Sequence, residues 1–290
     1  MSLLAAFGGL VLVVELLARR NARREQRSRE ALGETLYREV RGAGAPVLLI
    51  PGFQGSTRFW GSHLDSLASD HRLIFIDVLG FGRSPWPNLE YTLDDHLDYV
   101  RKTLQAENAD RDLTLIAHSF GTILAAYYAE RFPAEVSRLV LMGVPVFRDE
   151  AEARSRLWKM SPVAALFSLN PILSRVSCTL MCATRPWLQR IAPMLRHDLA
   201  PGVISDGLLH MWSSVDKTLR NVLVSKPIEN ALQVVGAKTT MIHGRRDGVT
   251  PLERVRELSA ATGAQLIETD DDHHGYIFDN AVLVMDTVRN

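Results

Sequence analysis

The sequence predicts an α/β fold, with a mostly parallel central sheet, helices on both faces and a helical insertion in its second half. Three observations predict it. Short apolar runs (VLLIPGF, RLIFIDV, SRLVLMG, AKTTMIHG) alternate with stretches of helical spacing, the pattern of parallel strands buried on both faces. Residues 112–133 (DLTLIAHSFGTILAAYYAERFP) pass from an apolar strand through a tight turn into an alanine-rich helix closing at Pro133. The rhythm then breaks from about 144 to 225, where Leu, Met, Trp and Phe are punctuated by Pro162, Pro171, Pro186, Pro193 and Pro201 and read as several short helices. With 290 residues, 47% hydrophobic and 23% charged, the chain can bury a substantial core and is not disordered by composition. A formal net charge of zero gives no global field that would argue for nucleic acid as a partner.

In chain order, residues 3–18 are apolar except for Glu15, and RRNARREQRSRE follows with six arginines against two glutamates. A helix over the apolar run measures roughly 24 Å at 1.5 Å per residue. That is a little short of a hydrocarbon core of about 30 Å, a gap that snorkelling arginines can close. A cleaved secretory signal does not fit, because no positive residue precedes the run and no A-x-A-like site follows it. A helix lying in the membrane plane fits less well, since residues 3–14 are apolar all round. Residues 1–30 are therefore expected to be a single N-terminal membrane anchor with a basic juxtamembrane segment. The arginines would keep the main domain, residues 31–290, on the cytoplasmic side.

Residues 34–41 (ETLYREVR) alternate in polarity as a strand does, and GAGAP separates them from the buried strand VLLIPGF. A glycine-rich loop, Pro51-Gly52-Phe53-Gln54-Gly55-Ser56, comes next. Residues 59–70 then carry helical spacing through Phe59, Trp60, Leu64 and Leu67. The strand RLIFIDV runs into Asp77-Val78-Leu79-Gly80-Phe81-Gly82-Arg83-Ser84, and residues 92–107 read as a helix. Beyond the insertion, the strand over 237–244 ends in His243-Gly244-Arg245-Arg246-Asp247. ERVRELSAATG is helical, AQLIETD is the last strand, and DDDHHGYIFDN is the loop after it.

The turn Ala117-His118-Ser119-Phe120-Gly121 needs small neighbours around its serine, or the strand and helix cannot approach. It holds a hydroxyl beside the first amides of a helix, where negative charge is favoured. By itself the pentapeptide also fits a buried turn with a capping serine. In its strand–turn–helix context it resembles the nucleophile elbow of the α/β-hydrolase family, with Ala117 where glycine is commoner. Asp77, Gly80, Gly82 and Ser84 match that family's D-x-x-G-x-G-x-S turn at all four defined positions; its role there is structural, so Asp77 is not counted as catalytic. The resemblance implies that residues 51–56 form the oxyanion loop, with Pro51 where His is common. The backbone amides of Phe53 and Phe120 would then face the developing oxyanion. It implies a helical cap over about 144–225. It places the acid at Asp247, where Gly244 and Pro251 complete a G-x-x-D and proline pattern, with Asp149 as the second candidate. The base falls in the last loop, at His274 rather than His273, because Asp279 stands five residues after His274.

The expected activity is a serine hydrolase cleaving a carboxylic ester through an acyl-enzyme on Ser119, with His274 as base and Asp247 as its orienting acid. Hydrolysis of this kind needs no cofactor, and no group of Cys, His and carboxylates has metal-ligand spacing. The apolar cap and the anchor point to a lipidic ester, and the small-molecule substrate is otherwise undefined. The same triad serves an acyltransferase or a carbon–carbon or amide hydrolase, and a non-catalytic scaffold can share the fold. Two cysteines, Cys178 and Cys182, are too few for a disulfide framework and read as packed thiols of the cap. Oligomeric state is open.

Overall fold

A computed structural model describes residues 3–160, 165–166, 169–195, 201–270 and 280–289. Strands β1 (Arg38–Arg41), β2 (Ala45–Ile50), β3 (His71–Ile76), β4 (Leu113–His118), β5 (Val136–Met142), β6 (Thr239–Gly244) and β7 (Gln265–Thr269) form one sheet in the order β1-β3-β2-β4-β5-β6-β7. Only β1, antiparallel to β3, departs from parallel pairing. The predicted fold class is therefore observed. Apolar side chains on successive residues go to opposite faces. On β2, Leu48 and Ile50 join one core cluster, with Leu97, Ile123 and Leu232, while Val47 and Leu49 join a second with Trp60, Leu67 and Val284.

The described helices are α1 (Leu3–Arg27), α2 (Leu93–Ala106), α3 (Phe120–Arg131), α4 (Glu150–Met160), α5 (Pro171–Leu195), α6 (Pro201–Gly207), α7 (Trp212–Thr218), α8 (Ile228–Val235), α9 (Leu252–Thr262) and α10 (Ala281–Arg289). Thr92 and Asp95 close a capping box at the start of α2, each bonding the other's backbone amide. The helical spacing over 59–70 yields two short 3₁₀ turns, Thr57–Trp60 and Asp65–Ser69, instead of an α-helix. In the insertion, α5 continues for 25 residues through Pro186 and Pro193, where the sequence reads as broken. Each interior proline forfeits one backbone hydrogen bond. The helix persists because Ser174, Cys178, Cys182 and Arg185 form a continuous buried face. Pro171 and Pro201 sit at first helical positions, where the missing N–H has no acceptor to lose.

The N-terminal segment is expected to be a membrane anchor, and the described structure does not support that expectation. A helix forms, but none of the described helices is long and apolar enough to cross a membrane. Glu15 interrupts the apolar run, and arginines begin at Arg19. The second half of α1 packs on the cap instead: Ala18 and Ala22 are buried, and Asn21 Nδ2 donates to the carbonyls of Cys182 (2.9 Å) and Ala183 (3.1 Å). Just beyond it, Arg29 is only 4% exposed. Its Nη2 donates to Gly82 O at 2.6 Å, and its guanidinium lies over the Trp86 ring at 4.1 Å. The boundary at residues 30 and 31 thus runs beside a buried contact.

Two buried histidines tie this architecture together. His96 of α2 meets Thr218 Oγ1 at 3.2 Å and packs edge-on against Phe120. His210 donates through Nδ1 to Gly207 O at 2.9 Å. Burial pushes each from its ordinary 6.5 down to about 4. Between those values the unfolded chain holds protons that the native state refuses, so stability falls as pH drops from about 6.5 towards 4. Each histidine accounts for up to about 3 kcal/mol across that window, at about 1.4 kcal/mol per pH unit. The urea midpoint of the protein is expected to decline over this range, and His96→Gln to flatten the decline by one proton's worth. An unchanged slope in that variant would show that His96 is not one of the groups responsible.

Candidate active site

The parallel strands bring the loops that carry Phe53, Ser119 and Asp247 to one edge of the sheet. Ile50 pairs with Ala117, His118 with Met142, Met142 with Ile242 and His243 with Glu268. Hence the loops after β2, β4, β6 and β7 leave together from the carboxyl ends of their strands, where open α/β sheets place their ligands. The loops after β2, β4 and β6 carry Phe53, Ser119 and Asp247. His273, His274 and Asp279 lie outside the described residues.

Ser119 stands between β4 and α3 with φ 51° and ψ −122°, a region that non-glycine residues rarely occupy. Its amide donates to Met142 O at 2.9 Å. Its carbonyl accepts from Thr122 N (2.9 Å) and Thr122 Oγ1 (2.6 Å). These bonds fix the strained backbone. Its hydroxyl does not cap α3, which removes the capping role as the reason for a serine here. The neighbours must be small for a measurable reason: a methyl on Gly121 would stand 2.5 Å from Ile50 O and 2.6 Å from Pro51 O. Ala117 is fully buried.

The loop after β2 lies against this turn. A methyl on Gly52 would come within 3.3 Å of Ser119 Cβ, so the loop backbone borders the serine directly. Gly55 N donates to Gly52 O at 2.9 Å, closing the loop, and Gln54 adopts φ 61°. The Phe53 ring packs edge-on against Phe81 (5.2 Å) and Phe120 (5.8 Å), linking the two residues expected to supply oxyanion amides. Phe120 begins α3, where backbone N–H groups have no acceptor within the helix. An anion beside Ser119 would therefore meet amide donors and the positive end of the helix dipole.

Asp247 is buried at the end of a turn whose amide donates to Gly244 O. Its Oδ1 accepts from Val249 N (2.7 Å) and Thr250 N (3.2 Å), which fixes the carboxylate. His243 supports the same loop through Nε2 and Thr250 O at 3.0 Å, the packing role its position suggests. Asp149 is exposed and engaged elsewhere: its Oδ1 accepts from Glu152 N at 2.7 Å as α4 begins.

Asp77 is structural in the way its motif implies. It accepts from Thr57 N (2.6 Å) and Arg83 N (2.8 Å), and a methyl on Gly82 would stand 2.3 Å from its Oδ2. Burial pushes its carboxyl above the usual range, against the pull of those donors and of Arg83. A feature that sequence reasoning missed sits opposite. Asp206 of α6 is buried, accepts from Ser56 Oγ at 2.9 Å and faces Arg58 (3.5 Å) and Arg83 (3.8 Å). This carboxylate ties α6 to the end of the loop after β2. Nothing in the sequence singles it out from the insertion's other acids, Asp149, Glu150, Glu152, Asp198 and Asp216.

Inside the cap, Ala153, Leu219 and Val224 form an apolar cluster that reaches Phe53, Phe147, Leu157 and Leu223. A nonpolar wall therefore adjoins the loop after β2 at Phe53. The cleft of about 620 Å³ between Arg138, Lys238, Gln265 and Asp286 lies at the opposite strand ends. Its two cations are spent on carbonyls, those of Thr287 for Arg138 and of Pro133 and Val136 for Lys238.

A family model described as alpha/beta hydrolase fold matches residues 45–167. The probable lysophospholipase BODYGUARD 3 of Arabidopsis thaliana is 30% identical over 233 residues, which is 71% of this chain and 47% of that protein. The chain spans about half the length of the probable lysophospholipases it matches. A 2-hydroxy-6-oxo-2,4-heptadienoate hydrolase of Pseudomonas putida is 29% identical over 247 residues, covering 83% of both chains. Among solved structures, an esterase from Exiguobacterium antarcticum superimposes with a TM-score of 0.66 at 18% identity, covering 88% of this chain and 94% of its own. Elbow, glycine turn, sheet order and relatives agree, and the chain belongs to the α/β-hydrolase fold family as a distant homologue of lysophospholipases and esterases.

Proposed function

We propose that this chain is a serine hydrolase that cleaves a carboxylic ester, lipidic in character, through an acyl-enzyme on Ser119. The observation that carries the reading is the conformation of Ser119: strained, not used as a helix cap, and bordered by the Gly52 loop. Strain of this kind costs roughly 1–3 kcal/mol and persists where the surroundings enforce it, often at reactive residues. In the proposed reaction His274 takes the hydroxyl proton as Ser119 Oγ attacks the ester carbonyl. The amides of Phe53 and Phe120 hold the oxyanion, and Asp247 fixes the imidazole tautomer. Collapse expels the alcohol with the proton from His274, and water, deprotonated by the same histidine, releases the acid.

The lipidic preference rests on the apolar wall beside Phe53 and on relatives named probable lysophospholipases. A second reading, hydrolysis of a carbon–carbon bond, is favoured by the relative that acts on 2-hydroxy-6-oxo-2,4-heptadienoate, a compound without an ester group. Rates on p-nitrophenyl esters of graded acyl length, set beside that dienoate, separate the two. The reading includes membrane association through α1, with the hydrolase domain on the cytoplasmic side.

Ser119→Ala is expected to lower turnover by on the order of 10⁶ and to abolish labelling by a fluorophosphonate probe. His274→Ala should be as damaging and His273→Ala milder. Retention of a tenth of wild-type activity by Ser119→Ala would remove it as nucleophile, and the reverse histidine ranking would move the base to His273.

For the acid, Asp247→Asn should cost on the order of 10⁴ in turnover, because it leaves the shape but spoils the tautomer. Asp149→Ala should change turnover by no more than a few-fold, its exposed carboxylate being a helix cap. Purified-enzyme kinetics in which Asp149→Ala is the more damaging change would reassign the acid.

A further inference from the structure

We propose that the outer face of α5 docks the protein onto an anionic lipid surface, with the helix lying in the plane of the interface. Ile172, Val176, Leu180, Trp187, Ile191 and Met194 follow one another at intervals of three, four or seven residues, so they share one side of the helix. They lie opposite the buried Ser174, Cys178, Cys182 and Arg185 and are 48–74% exposed. Six large apolar side chains along a helix of 25 residues form a stripe on the order of 35 Å long, far beyond scattered surface hydrophobicity.

The neighbouring helix indicates the occupant. α1 lies against α5 in parallel, since Ala18 shares a cleft with Cys178 while Asn21 bonds the carbonyls of Cys182 and Ala183. Its first half leaves Val11, Leu12, Val13, Leu16 and Leu17 between 42% and 59% exposed. Its second half exposes arginines. Glu15 pairs with Arg19 and Glu25 with Arg29, so Arg20, Arg23, Arg24 and Arg27 have no carboxylate partner among the described residues. Arg175 and Arg190 add exposed charge on α5, the latter over the Trp187 ring at 5.7 Å. Apolar side chains with a tryptophan, beside unpaired arginines, match the acyl and headgroup layers of an anionic leaflet. A purely protein partner would need no such excess of one sign. None of the described helices is long and apolar enough to cross a membrane, and the proposed contact lies in the interface. The site would thereby be held at the surface where a lipidic ester resides.

This inference rests on the membrane association proposed above and extends it to the cap. The test is co-sedimentation of the full chain with vesicles of equimolar phosphatidylglycerol and phosphatidylcholine. Wild-type protein should bind, and the combined variant Val176→Ser, Leu180→Ser, Trp187→Ser should lose roughly tenfold or more in partitioning. Its rate on a short soluble ester should be unchanged, showing an intact fold. Brominated phospholipid should quench a wild-type fluorescence component absent from Trp187→Phe. If the combined variant partitions like wild type while Leu12→Ser, Leu16→Ser does not, α1 contacts the membrane and the α5 inference is wrong. Failure of wild type to bind would overturn both. A solution dimer that the α5 variant dissociates, without vesicle binding, would assign the face to a second copy of the chain and overturn the proposal.

Discussion

The closeness of α3 to the end of β2 is the constraint on which the candidate site depends. Gly121 packs so near the carbonyls of Ile50 and Pro51 that no side chain fits between them. That contact brings the first turn of α3 beside the loop carrying Gly52 and Phe53. It also forces the chain to turn within one residue, and that residue is Ser119, at φ 51°. Serine pays for this in backbone strain, and the hydrogen bonds from its amide to Met142 and to its carbonyl from Thr122 keep it there. Glycine would tolerate the angle more easily. A serine kept where glycine is easier, with its hydroxyl withheld from the helix cap, makes chemical sense when the hydroxyl reacts.

The loop after β2 is held at its far end by a set of charged and polar contacts. Asp77 accepts the amides of Thr57 and Arg83, Arg83 Nη2 donates to Thr57 Oγ1, and Ser56 donates to Asp206 of the cap. One buried network thus spans the glycine turn, the end of the oxyanion loop and α6. Removing a member leaves buried charge without a partner, which costs more than the pair itself contributes. Electrostatic stabilisation of an anion depends on donors that need not reorganise during reaction. Tethering the end of the Gly52–Ser56 loop at Ser56 and Thr57 serves that requirement, and the same bonds settle how the cap sits.

Legibility in the sequence followed the kind of constraint involved. The elbow, the Asp77 turn and the loop after β6 make demands on backbone geometry that few residues meet, and those demands appear as fixed local patterns around Ser119, Gly82 and Asp247. The strands follow almost as directly, because runs such as LTLIAH are buried at every position. The cap was harder. Pro186 and Pro193 read as breaks, yet the tertiary contacts along Cys178 and Cys182 carry α5 through both. Residues 59–70 had helical spacing over too short a span to outweigh loop geometry and became 3₁₀ turns. Asp206 and Arg29 act on partners 150 and 53 residues away, a separation at which a single sequence carries no pattern.

Arg29 shows how the ends of this arrangement are coupled. A guanidinium only 4% exposed is expensive to bury, and burial draws its proton affinity down against the support of Glu25. It remains because its charge is spread over three supports. Glu25 accepts at 2.9 Å, Gly82 O accepts at 2.6 Å, and the Trp86 ring presents its electron-rich face at 4.1 Å. Arg185 of α5 approaches the same ring at 5.1 Å. Gly82 also donates its amide to Leu209 O of the cap at 2.8 Å and packs against Asp77. The chain leaving α1 therefore closes on the turn that positions the oxyanion loop, and it does so beside the helix with the apolar outer face. In the proposed docking, α1 and α5 both reach this turn through short, buried contacts. A loosely tethered α1 would leave that turn indifferent to it, whereas this attachment ties the end of α1 to the Asp77 turn and, through Thr57, to the end of the loop that borders Ser119.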